Sequence, residues 1–126
     1  MTGTPGSFGR LLRALSNIRN NSDRPYLLSN TVVTKSNWPA LGATLRFILD
    51  QGMPDHCLLS NMAPEGRGES CYRTQTVRLW RWRHKIPALV RMAKAKKTIL
   101  VFFGLPLCVF GRHGAHSNDR YFSPRS

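Results

Sequence analysis

Carboxylates are scarce in this chain. Six Asp and Glu stand against nineteen Lys and Arg, for a formal charge of +13 and a pI near 11.1. No acid occurs between Glu69 and Asp119, although ten cations lie in that gap. So few carboxylates leave little for general acid–base work, and the pI excludes a typical neutral metabolic enzyme as the first expectation.

Long apolar runs are missing too. The longest, from Thr98 to Phe110, has thirteen residues. As a helix it would reach only ~20 Å, against a hydrocarbon core of ~30 Å. Extending it back to Ala88 would immerse Arg91, Lys94, Lys96 and Lys97 at ~3 kcal/mol each. That excludes a conventional spanning helix and leaves a buried strand or a monotopic insert. Cysteine is limited to Cys57, Cys71 and Cys108, and an odd count leaves one thiol over in any disulfide framework. No secretory signal pattern opens the chain, so an intracellular, reduced setting is expected.

Catalytic signatures are absent as well: there is no Walker loop, G-x-S-x-G, H-E-x-x-H or Rossmann glycine pattern. Asp55, His56 and Cys57 are sequence neighbours, and a nucleophile–base pair needs its third group placed by the fold instead. Cys108-x4-His113-x2-His116 puts three zinc-capable side chains within nine residues, but no paired Cys-x2-Cys accompanies them. Cys71-x12-His84 lacks the outer ligands of a finger. The expectation is a non-enzyme with no cofactor and no metal.

What is present is positive charge, unevenly spread. Residues 1–69 carry seven cations and five acids; residues 70–126 carry twelve cations and one acid. Repulsion on that scale opposes a compact state unless a polyanion neutralises it. The partners this implies are an anionic polymer, with RNA narrowly favoured, or an anionic membrane surface, in either case within a larger assembly or alone. Fourteen of the nineteen cations are Arg, whose planar fork grips phosphate with two hydrogen bonds. An Arg-rich, acid-poor chain is also what GC-rich DNA encodes in an arbitrary frame, so a weakly selected open reading frame with no defined role is the third reading.

Apolar spacing predicts three helices. In residues 7–19, Phe8, Leu11, Leu12, Leu15 and Ile18 fall in one narrow stripe. With Arg10, Arg13 and Arg19 and no acid before Asp23, residues 1–22 read as a mitochondrial presequence or as a surface helix. The setting expected is intracellular, with the mitochondrion one compartment the presequence reading allows and the nucleus the alternative. Residues 26–34 read as extended, interrupted by Ser29-Asn30. Residues 38–50 read as the second helix, with Asn37 as N-cap, Trp38, Leu41, Leu45, Ile48 and Leu49 as its apolar stripe, and Gly52 as a left-handed stop. Residues 60–75 read as a linker.

Residues 76–97 read as the third helix. Leu79, Trp82, Ile86, Leu89, Val90 and Ala93 form its apolar stripe, and Pro87 predicts a kink. Trp80 falls outside the stripe amid Arg78, Arg81 and Arg83. Exposed Trp beside Arg suits base stacking combined with phosphate neutralisation. The candidate nucleic-acid-binding residues are therefore Arg78, Trp80, Arg81, Arg83, Lys85, Arg91 and Lys94. The same helix fits a peripheral membrane protein, with its apolar face and residues 98–110 in the lipid boundary. Residues 111–126 read as a disordered tail. The expected fold is mainly α: a small protein of three short amphipathic helices, with residues 1–59 as a helical region and residues 76–110 as the basic helix plus apolar segment.

Overall fold

Three short segments far apart in the chain lie side by side in the computed structural model, which describes residues 3–52 and 54–119. Leu28–Val33 (β1), His56–Asn61 (β2) and Ile99–Phe103 (β3) form one parallel sheet in the order β1-β2-β3. Parallel neighbours need a crossover between them, usually a helix. Leu41–Asp50 (α2) links β1 to β2; Gly68–Gln75 (α3) and Leu79–Ala95 (α4) link β2 to β3. Ser7–Arg19 (α1) precedes the sheet, and two 3-10 turns, Leu107–Val109 and Gly111–His116, follow it.

The fold is thus α/β, and the mainly α expectation is corrected. Its source was β1 and β2, whose sequences Leu-Ser-Asn-Thr-Val-Val and His-Cys-Leu-Leu-Ser-Asn are too polar to announce buried parallel strands. One pair of those polar groups is satisfied within the sheet: the Ser60 hydroxyl donates to Asn30 Oδ1 at 2.8 Å across the strands. The presumed linker 60–75 is instead the end of β2 followed by α3. The presumed tail is ordered as far as it is described. Ser117 forms a parallel bridge with Phe102 and is fully buried, and the Asn118 N–H donates to Phe102 O at 2.9 Å, so this segment covers the outer edge of β3. Residues 120–126 lie outside the described residues.

The core sits between the sheet and the pair α2–α4. Val33, Cys57, Leu59, Leu100 and Phe102 face Leu41, Leu45, Leu49, Trp82, Ile86, Leu89 and Val90. Trp82 is the hub. Its ring meets Trp38 edge-on at 5.2 Å and Phe102 at 5.9 Å, and Phe102 continues to Phe110 at 5.6 Å, all within the range of favourable aromatic pairs. The apolar stripes expected for α2 and α4 are these core faces, apart from Leu79, which is exposed. Asn37 does not cap α2, which starts at Leu41. Its Oδ1 accepts the Thr34 N–H at 2.8 Å and its amide donates to Val32 O, holding the turn out of β1 instead. Gly52 takes the left-handed conformation expected of it, at φ 64°.

At the opposite end of the strands, Asp55 ties β1 to β2. It receives two 2.8 Å hydrogen bonds from the Arg24 guanidinium and a third from the Leu27 N–H. The Arg24 hydrogen bonds, followed by that of Leu27, lower the Asp55 carboxyl from 3.8 to about 2. A carboxyl whose folded pKa is depressed stabilises the fold above its unfolded value and loses that contribution as pH falls through the folded one. The expected result is a component of acid destabilisation between pH 3.8 and about 2 that Asp55→Asn removes, read from denaturation midpoints against pH. An acid limb identical in the Asn variant would show that the clamp contributes nothing.

Candidate nucleic-acid interface

α4 divides its cations between two jobs. At ~100° per residue, Trp80, His84 and Arg91 lie on the far side from the buried stripe and Arg83 and Lys94 on its flank, and all five face solvent. Trp80 is 60% exposed and stands edge-on to His84 at 6.3 Å. Trp80 to Lys94 spans ~21 Å at ~1.5 Å per residue. Arg78 sits exposed at the N-cap position.

Lys85 and Arg81 point elsewhere, onto α2's leading turn. Lys85 Nζ lies 4.6 Å from the centre of the Trp38 ring and donates to Trp38 O; the Arg81 guanidinium lies 5.7 Å from the same ring. Burial, then the Arg81 charge, lowers the Lys85 pKa. Lys85 therefore acts as a packing group, and its place in the expected binding set is not on the solvent face.

The 3-10 return adds what periodicity on α4 could not show. It brings His113 to the C-terminal half of α4, with the exposed Arg112 next to it in the chain. Burial lowers the His113 pKa first, followed by the charges of Arg112, His116, Lys94 and Arg91. Among the described residues, the ion pairs are Arg24–Asp55 at 2.8 Å and Lys96–Asp50 at 3.0 Å, and neither lies on this face. The result is a set of exposed cations, Arg83, Arg91 and Lys94 on α4 with the exposed indole of Trp80, and exposed Arg112 in the 3-10 return that meets the helix; neither described ion pair engages them. Such a set can bind anions and stack on a planar ring; it holds no nucleophile or proton-transfer pair.

The other candidate chemistry does not converge. His56 and Cys57 alternate to opposite faces of β2; the Cys57 thiol is buried and burial pushes its pKa up, which disfavours the thiolate. Asp55 is taken by Arg24. His116 Nδ1 lies 2.9 Å from Leu100 O, and Cys108 is exposed. Among the described residues no cluster of three His, Cys, Asp or Glu could hold a metal ion, and no helix is long and apolar enough to cross a membrane. Comparison with family models, with curated proteins and with solved structures yields no match.

Proposed function

We propose that the chain is a non-enzymatic RNA-binding protein that grips the phosphate backbone with the solvent face of α4. The observation that carries this reading is the set of exposed cations Arg83, Arg91, Lys94 and Arg112, which neither described ion pair engages, with Trp80 standing exposed on α4. Four cations on single-stranded RNA predict a log–log salt slope of about −3, at ~0.7 per phosphate contact. Titration of RNA and of anionic vesicles against salt is the test. No RNA binding tighter than micromolar at physiological salt would leave these cations as a solvated surface.

The membrane reading is weaker for a physical reason. A helix lying in a lipid boundary inserts its apolar stripe. In α4 that stripe is spent on the sheet: Trp82, Ile86, Leu89, Val90 and Ala93 are all buried.

The compartment this reading favours is the mitochondrion. α1 supports it, since it forms over Ser7–Arg19 with Arg10 and Arg13 and buries none of its residues. A helix so weakly tied to the core is available to an import receptor. Changing Arg10, Arg13 and Arg19 together to Glu should abolish import, because positive charge drives the potential-dependent step. Unchanged localisation of that triple variant defeats the idea.

A further inference from the structure

Among the described residues, α2 and α4 pack on one face of the sheet, and α1 meets the other at its Leu28–Asn30 edge. Parallel sheets are almost always covered on both, because their strands present apolar side chains to each side. The strand register makes the second face a grid of three rows: Leu28, His56 and Ile99; Asn30, Leu58 and Val101; Val32, Ser60 and Phe103. The four corners, Leu28, Ile99, Val32 and Phe103, are apolar and 54, 55, 50 and 47% exposed, whereas Val101 and Ser60 are already buried between their neighbours. No Asp, Glu, Lys or Arg occurs in the grid, although these make up 20% of the chain. A solvated strand face in so charged a protein would carry such residues.

We propose that this face pairs two copies of the chain, sheet on sheet, in a homodimer. Charge selects the occupant. The grid has no Lys or Arg to attract an anionic polymer and no acid to attract a basic one, so what complements it is a face equally uncharged and apolar. A second copy supplies that face by symmetry, as a two-fold interface requires. Two chains of +13 repel, but stacking through the sheets points both α4 solvent faces outward. Layers ~10 Å apart place the two α4 axes ~30 Å from one another. That is several times the ~8 Å screening length at physiological salt.

The area is adequate for a modest dimer. Strands ~4.8 Å apart and residues ~3.3 Å apart give a plane of ~250–300 Å² per copy. The half-exposed side chains standing above it add to that, so the pair buries at most about 1,000 Å², the lower bound of a specific interface. The inference rests on β1, β2 and β3 and is independent of the RNA reading. Its consequence for that reading is geometric: a dimer holds two RNA segments on opposite sides.

The test is sedimentation equilibrium of the full chain at physiological salt, from about 1 to 200 µM. The mass should rise from 14.3 kDa toward twice that value. Phe103→Glu and, separately, Val32→Glu place a charge at a half-exposed corner and should each weaken dimerisation at least tenfold, with the circular dichroism spectrum unchanged. Ile99→Thr is a milder second route, expected to weaken it by a smaller factor should either Glu variant fail to fold. A parent chain that stays at 14.3 kDa throughout overturns the proposal. So does a folded Phe103→Glu chain that dimerises like the parent.

Discussion

Trp82→Ala is expected to cost ~3–5 kcal/mol of stability, the range for truncating a fully buried large aromatic. The side chain is wholly buried, and its removal opens a cavity between Trp38 and Phe102, the two rings it joins. Domains of this size have only ~5–15 kcal/mol in hand, so the variant should melt far below the parent or not fold cooperatively at all. Trp80→Ala, two residues away, is the contrast. Trp80 is exposed, so its loss should shift stability by no more than ~0.5 kcal/mol, the usual range for surface sites. It should instead weaken RNA binding by ~1–3 kcal/mol if the indole stacks on a base. Thermal melts and RNA titrations of the pair separate the two roles. Equal stability losses in both variants would contradict the placement of α4 against the sheet.

Replacing Arg83, Arg91, Lys94 and Arg112 together by Gln should reduce RNA affinity on the order of a thousandfold at low salt. Each contact between a cation and phosphate contributes roughly 1 kcal/mol or more, and the four sum to ~4 kcal/mol. The salt slope should flatten from about −3 toward zero, because no counterions remain to be released. The fold should survive, since these positions carry none of the core. Lys85→Gln provides the internal control. Lys85 serves the Trp38 ring and carbonyl, so its loss should lower the melting temperature and leave the salt slope intact. A Lys85 variant that loses RNA affinity as the quadruple variant does would mean the binding face wraps toward α2.

Much of the site was legible because α4 announces itself. A stripe of Trp82, Ile86, Leu89, Val90 and Ala93 at helical spacing dictates which side is buried, and Trp80, Arg83, Arg91 and Lys94 must then face away. The return of Arg112 and His113 toward α4 was not legible. That segment lies past β3, in a stretch rich in Gly and His with no apolar period, and only the pairing of Ser117 and Asn118 with Phe102, with the His116 ring at Leu100 O, returns it to the helix. Lys85 was misplaced for the complementary reason: its angle on the helix is half-exposed, and only the arrival of Trp38 from α2 decides that its ammonium turns to a ring.

The chain's local chemistry determines its helices and its charge. Helical periodicity is a short-range property, set by contacts three and four residues apart, so α1, α2 and α4 could be read to within three residues of their ends, whereas α3, which lacks an apolar stripe, read as a linker. The sheet was decided elsewhere. Parallel strands exchange no hydrogen bonds with near sequence neighbours, and each of these three is only five or six residues long. β2 gains its place because β1 and β3 flank it, with Ser60 bonded to Asn30 and with Leu59 and Phe102 in register beneath α4. The strand registers join residues 28 positions apart between β1 and β2 and 43 apart between β2 and β3. No window along the chain contains them, which is why only the tertiary structure could turn an expected helical protein into an α/β one.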